Sequence, residues 1–586
     1  MALFDHGDLT GDEAVNEVLL AYHLGNAAEY NATLPVIDPF PLPTGWRSLS
    51  DTEVADHFDT RFTVSRAFAL ESPLLGVKDR GLEVVLYIEE DDQGLPTRLS
   101  VTWVGTNAIV DIFDYLVLNE GSKLAASMEP FLVEVMAFAD HLGLTNEDIL
   151  VTGYSLGAAM TNIMARYKDT LADGFFVDAD YIGHAVPFVH DDPDVYNFGY
   201  ENDLVHRIAG QELGLLRLLK EVGVKVQGRD LDYDNTTDNV VMFNERYADD
   251  SFAAPTFGLF NLRAWSAHIS GLNFSHLPTI AGSAFYDLTN RDSLVIVSNL
   301  NRGKSETYWV EDKASAATRA DDYSGFVIGT GLANKLADGK GNDFLDAGEG
   351  KDHIRLTLGY DEVEGGKGID TVHLSDSDIT AYRLSDGDLM IHGDSGLKRL
   401  HDVEFISLGS NGDNLTENRQ AVFALKTERA KEGTDGDDTL KGAVLFGGDG
   451  NDILKAGAKG ALLHGGDGQD RLEDGRGDDQ LYGAAHDDIL IHSRGNDLLN
   501  GGHGNDIFAF AANASGEVRI EDFGRAFGET DFLLFAPDIF SSLGNVLDNT
   551  SMTEDGLLIQ SQDLTIILDH ADIDAINAQT ILFGEA

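Results

Sequence analysis

The sequence predicts two units of different build, a mixed α/β unit over residues 1–320 and an all-β parallel roll beyond it. Three observations carry this. Strand-like and helix-like apolar runs alternate up to about residue 320, helical periodicity stops near residue 330, and Gly and Asp then recur with a period of nine. In the first unit Val84 to Ile88, Leu99 to Val104, Ile149 to Thr152 and Val195 to Phe198 read as strands. Phe131 to Leu142 reads as a helix with Phe131, Leu132, Val135, Met136 and Phe138 on one face.

In the second unit Asp343, Asp352, Asp361 and Asp370 step by nine, with Asn334 in the preceding slot. A later block holds Asp452, and then Asp470, Asp479, Asp488, Asp497 and Asp506, again nine apart. An apolar residue stands two places after the Asp, as at Leu345, Ile354, Val363, Val372, Leu472 and Leu499. Glycines allow φ > 0 in a tight turn that presents carbonyls and a carboxylate, hard oxygen donors suited to Ca²⁺. The short strand that follows turns its apolar residue inward, so stacked turns make a β-roll with a thin core. A flexible Gly-rich linker would not keep Asp and the apolar residue in phase. All ten aspartates are therefore candidate Ca²⁺ ligands. The expected divisions are a first block over 321–374, a β-rich spacer over 375–432, a second block over 433–510 and a β-rich segment over 511–586.

Composition narrows the function classes. The chain of 586 residues carries 100 Asp+Glu against 41 Lys+Arg, a formal charge of −59, and no cysteine. Such a surface repels a phosphate backbone, which argues against nucleic-acid binding. Disulfides, thiol catalysis and Cys-ligated zinc are excluded. No run of 18 apolar residues suggests a membrane span, and the acidic start MALFDHGDLTGDE does not read as a secretory signal peptide. Packed carboxylates would make folding of the roll conditional on calcium. Extracellular calcium modules bind at about 10⁻⁴–10⁻³ M, so the roll is expected to fold outside the cell.

A candidate catalytic element lies at Gly153, Tyr154, Ser155, Leu156 and Gly157. Gly-x-Ser-x-Gly is a weak pattern in a chain with 63 glycines. Its context is more specific, with strand-like Ile149–Thr152 before it and helix-forming Ala158–Ala165 after it. That is a strand–turn–helix elbow, which lifts a serine hydroxyl clear of a sheet and predicts an α/β-hydrolase fold. A serine nucleophile needs a histidine base and an orienting carboxylate, in the order Ser, Asp, His. Asp203 lies just past the strand-like Val195–Phe198, and both His268 and His276 follow it. Chain order leaves the two histidines open.

The motifs Ser155-Leu-Gly, Tyr200-Glu-Asn-Asp203, Thr236-Thr-Asp-Asn-Val-Val-Met-Phe-Asn, Ser275-His-Leu-Pro-Thr and Phe285-Tyr-Asp-Leu-Thr-Asn-Arg-Asp-Ser resemble those of the RTX-type bacterial lipases. These are the calcium-dependent third subfamily of the true bacterial lipases. The resemblance implies a lipase-type serine ester hydrolase acting on acylglycerols or related esters through an acyl-enzyme. It implies Ser155 as nucleophile, Asp203 as orienting acid and His276, in its His-Leu-Pro-Thr setting, as base. The backbone N–H groups of Thr106 and Leu156 become the oxyanion donors. Glu201, Asp230, Asp238 and Asn239 match a calcium site within the catalytic unit. The resemblance further implies a secreted monomer, exported by an ABC-type machinery through an uncleaved signal in the last segment, with lipid or ester as its partner.

Two segments depart from the resemblance, those between His23 and Trp46 and after Thr106. Both are short, which predicts a reduced lid and leaves Asp111 and Asp114 as remnants of a lid calcium site. A small lid also suits phospholipids (phospholipase A1 activity) or polyesters and polyurethanes. An RTX metalloprotease would need His-Glu-x-x-His, which the chain lacks. A non-enzymatic RTX adhesin or toxin has no use for an elbow with Asp and His in order.

Overall fold

The computed structural model describes residues 2–33, 41–60, 63–64, 67–69, 83–105, 121–187, 189–190, 192–200, 203, 239–244, 267–268, 276–311, 323–410, 419–526 and 528–585. Thr106, Asp111, Asp114, Glu201, Asp230 and Asp238 lie outside these residues, as do 34–40 and 106–120 of the two segments expected to form the lid. Internal contacts divide the chain into Met1–Ala281 and Gly282–Ala586. No helix among the described residues is long and apolar enough to cross a membrane.

The first unit is built on a sheet running Thr63–Val64, Ala67–Ala69, Glu83–Glu90, Pro96–Trp103, Ile149–Tyr154, Asp180–His184 and Val195–Phe198. The last four strands are parallel. All six residues of Ile149–Tyr154 are buried, as befits a central strand covered on both faces. Ile149 and Val151 join one core with Met128, Phe131, Leu132 and Met160, carried by the helices Gly121–Leu142 and Leu156–Arg166. On the opposite face the Thr152 hydroxyl donates to the Ala21 carbonyl of the helix Gly11–Thr33, at 3.3 Å. Alternation along the strand thus places one helix layer on each side. The expected helix over 131–142 begins ten residues earlier, at Gly121, and runs through Pro130.

The second unit winds one coil per 18 residues. In the first block Val327, Leu345, Val363 and Leu400 stand side by side on one sheet, and Leu336, Ile354, Val372 and Ile406 on the other. In the second block Leu445, Leu463, Leu481 and Leu499 form one row, and Leu454, Leu472, Leu490 and Phe508 the other. These residues are almost wholly buried. Identical apolar positions stack because parallel pairing keeps each repeat in register with the next coil.

The boundaries differ from those expected at 320 and 374. Leu294–Ser298 pairs in parallel with Gly325–Thr330, so the roll sheet starts before 320. Gly396–His401 and Phe405–Leu408 continue the two sheets past 374, the former also closing a hairpin with Leu389–Gly393. Neither lengthening carries the Gly/Asp signature, which is why periodicity did not reveal it. At the other end Leu564–Asp569 adds to Ile507–Ile520 and turns antiparallel against Gly556–Gln560, capping the last coil.

Burial at these rows sets an expected cost. With calcium present, Leu481→Ala should lose about 2–5 kcal/mol in urea unfolding, since Leu481 is fully buried. Ile369→Ala, at a half-exposed position, should stay within about 0.5 kcal/mol of wild type.

Candidate active site and calcium-binding edges

Ser155 stands between the strand Ile149–Tyr154 and the helix Leu156–Arg166 with φ 56 and ψ −120. That region costs a non-glycine residue about 1–3 kcal/mol, so the surroundings must hold it there. The Ser155 N–H donates to the His184 carbonyl on the neighbouring strand, at 2.9 Å. The flanking glycines are required by space. A β-carbon on Gly153 would overlap the backbone of Gly157, and one on Gly157 would overlap the Trp103 carbonyl. The elbow read from sequence is present, and the glycines mark two close backbone approaches.

The imidazole of His268 lies between Asp203 and Ser155. Its Nδ1 is 2.8 Å from Asp203 Oδ2 and its Nε2 is 2.9 Å from Ser155 Oγ. A carboxylate only accepts, so Nδ1 carries the proton and Nε2 is left to accept from the serine. All three side chains are buried. Two further bonds position them: the Asp203 N–H donates to Tyr200 O at 2.9 Å, and the Tyr154 hydroxyl donates to the His268 carbonyl.

The histidine expected from the His-Leu-Pro-Thr setting is elsewhere. His276 opens the helix His276–Ala281, 1% exposed, with its ring edge-on to Tyr200 at 5.4 Å. Neither ring nitrogen has a hydrogen-bond partner among the described residues. Burial alone pushes its pKa down to about 4, so it is a neutral packed ring. The assignment of His276 to the Ser–His–Asp arrangement is therefore corrected to His268. Both histidines follow Asp203 within one short segment, and no local pattern separates them.

Leu156 is the first residue of its helix, so its N–H is among the amides without a helical partner. On the adjoining strand end the Gly105 N–H donates to Glu29 Oε2 at 2.8 Å, and both groups are buried. Sequence reasoning missed Glu29. It lies in the helix Gly11–Thr33, remote from every motif, and pins the residue before Thr106. Of the residues matched to a calcium site in this unit only Asn239 is described, buried beside the strand Val240–Phe243.

The ten repeat aspartates are all buried or nearly so. Most accept at Oδ1 from the backbone N–H one coil earlier, as in Asp343 to Asp361 (3.0 Å), Asp452 to Asp470 (2.7 Å) and Asp488 to Asp506 (2.8 Å). The second oxygen divides them. Oδ2 of Asp352, Asp370, Asp452, Asp470 and Asp488 is buried with no partner among the described residues. Buried unpaired carboxylate oxygens are costly, and a calcium ion is the hard cation that suits them. These turns fit the metal.

Comparison with known proteins finds similar sequences and a similar fold. The model of the RTX calcium-binding nonapeptide repeat matches residues 328–363, 444–458, 464–499 and 493–513. A lipase from Pseudomonas fluorescens is 36% identical over 202 residues, and a second is 33% identical over 203. Part of this chain is thus similar in sequence to bacterial lipases, and another part matches the RTX calcium-binding repeat. Each alignment covers 34% of this chain, which spans 40% and 43% of the length of those two curated relatives. The crystal structure of the extracellular lipase LipA from Serratia marcescens superposes over 100% of both chains with a TM-score of 0.66 at 23% identity, a likeness of fold. The build is thus an α/β-hydrolase unit followed by an RTX β-roll, as the sequence predicts.

The elbow yields its own test. Gly157→Ala should destabilise the protein by about 1–3 kcal/mol or more in thermal unfolding, because backbone rather than a movable side chain stands in the way.

Proposed function

We propose that this protein is a secreted, calcium-dependent serine ester hydrolase of the lipase type, cleaving acylglycerols or related carboxylic esters through an acyl-enzyme. The observation that carries this is the single imidazole within hydrogen-bond distance of both Asp203 and Ser155. In this reading His268 Nε2 takes the hydroxyl proton as Ser155 Oγ attacks the ester carbonyl. His268 then returns that proton to the leaving alcohol. Asp203 holds the tautomer and stabilises the imidazolium. The developing oxyanion is met by the Leu156 N–H and by that of Thr106, the latter on the resemblance, with Glu29 fixing the preceding residue.

Calcium belongs to the roll, where the unpaired Asp352, Asp370, Asp452, Asp470 and Asp488 would hold it. It would supply positive charge that lets packed carboxylates coexist. A further ion at Glu201, Asp230, Asp238 and Asn239, a monomeric state and export by an ABC-type machinery stay part of the proposal on the resemblance.

Hydrolysis of a p-nitrophenyl ester tests the catalytic roles. Ser155→Ala and His268→Ala should each lower kcat by at least ~10³-fold, while His276→Ala should keep kcat near wild type and act through stability. Loss of activity in the His276 variant with retention in the His268 variant would reverse the roles. A second measurement addresses the metal. Chelation should remove β-sheet signal from the circular dichroism of the full chain, and Ca²⁺ but not Mg²⁺ should restore it, because Mg²⁺ demands a tighter octahedral shell.

A further inference from the structure

Because one coil takes 18 residues, successive nine-residue turns alternate between two edges of each block, and the two edges are built differently. One edge, which ends at Asp506, carries Asp352 and Asp370 in the first block and Asp452, Asp470 and Asp488 in the second, and these five are alike. Their side chains are at most 2% exposed and each Oδ2 is without a partner among the described residues. Five residues before these second-block aspartates lie Gly447, Gly465 and Gly483, where a β-carbon would overlap that same Oδ2. The next residue along always has positive φ: Gly348 (80), Gly366 (73), Gly448 (106), Gly466 (113) and even Ala484 (91). The coil therefore imposes this backbone whether or not glycine is present.

On the opposite edge stand Asp343, Asp361, Asp479 and Asp497, and every Oδ2 there has a protein donor. Gly339 N–H reaches Asp343 at 2.8 Å and Gly475 N–H reaches Asp479 at 2.7 Å. His492 Nδ1 lies 2.6 Å from Asp497. Lys398 Nζ lies 2.5 Å from Asp361. The sequence differs in step. The leading position holds Asp338, Leu356, Asp474 and His492 in place of glycine, and none of Gly339, Thr357, Gly475 or Ser493 has positive φ.

Lys398 shows what the difference means. It pairs in register with Asp361, so it takes the rung where the next aspartate of that edge would stand. Its ammonium is 1% exposed and donates to Gly359 O (2.8 Å) and Ser395 O (3.2 Å) as well as Asp361. Two carbonyls and a carboxylate around one positive charge are the oxygen donors a calcium ion would otherwise collect.

We propose that each block takes calcium along one edge only, the edge of Asp352, Asp370, Asp452, Asp470 and Asp488, and that the protein closes the other edge itself, with Lys398 as a built-in cation. This rests on the roll binding calcium at all. It removes Asp343, Asp361, Asp479 and Asp497 from the ligands expected from spacing. Two carboxylate clusters whose spacing alone suits an ion, Asp338–Asp343–Asp361 and Asp474–His492–Asp497, both lie on the closed edge, where Lys398 and His492 already meet the carboxylates.

Calcium stoichiometry of the full chain, stripped with chelator and measured by equilibrium dialysis and calorimetric titration, tests this. Asp470→Asn and Asp352→Asn should each lose at least one bound ion. Asp343→Asn and Asp479→Asn, near-isosteric changes that give up one accepted N–H bond each and lower stability, should still bind as many ions as wild type when folded. Lys398→Met should gain one ion, because it opens the Gly359–Asp361–Ser395 position. Loss of ions in Asp343→Asn or Asp479→Asn would overturn one-edge binding even if the lysine variant fails to fold. A wild-type chain that binds no calcium would instead sink the calcium reading itself, a different result from binding on both edges.

Discussion

The bond from a backbone N–H to the aspartate carboxylate one coil later is what the roll depends on. When the acceptor is ionised such a bond is worth about 1.5–3 kcal/mol, more than a neutral one, and most of these bonds span the same length. Asp352 to Asp370, Asp452 to Asp470 and Asp479 to Asp497 all span 18 residues. That single length locks the register in which Leu463 meets Leu481 and Leu481 meets Leu499. It also brings carboxylates of one sign close together in a buried setting. Burial raises the pKa of Asp352 to about 8 and of Asp470 to about 7 in the metal-free fold. The architecture thus creates its own demand for positive partners, left open among the described residues on one edge and met on the other by amides, an imidazole and an ammonium.

The catalytic unit follows the same logic of enforced backbone. Ser155 and Ala484 are non-glycine residues at positive φ, each held by neighbours on both sides. At the elbow the holding groups are the His184 carbonyl and two glycines that admit the backbones of Trp103 and Gly157. Helices on both faces of the sheet keep that strand end fixed, and the serine hydroxyl meets His268 as a consequence.

Much of this was legible in the chain. The strand Val195–Phe198 has the bounds its apolar run suggested. The repeat phase placed Leu345, Ile354, Leu472 and Leu499 in the core, where they are fully buried. Strands without the Gly/Asp signature were harder. Leu294–Ser298 reads as a strand, Leu-Val-Ile-Val-Ser, but neither it nor Gly396–His401 carries a repeat signature that assigns it to the roll, which both join by pairing.

Residue type and spacing determined the α/β unit, the elbow at Ser155, the candidacy of Asp203 and the nine-residue roll, because each is written in local periodicity and turn chemistry. Tertiary structure alone decided between His268 and His276. Both satisfy the same chain order, and only the packing that buries one ring against Tyr200 and sets the other between Asp203 and Ser155 separates them. Tertiary structure also divided the aspartates, since a nine-residue period repeats the residue but not its neighbour. Whether Oδ2 faces Lys398 or nothing depends on a lysine 37 residues away along the chain, brought alongside Asp361 by the pairing of two strands.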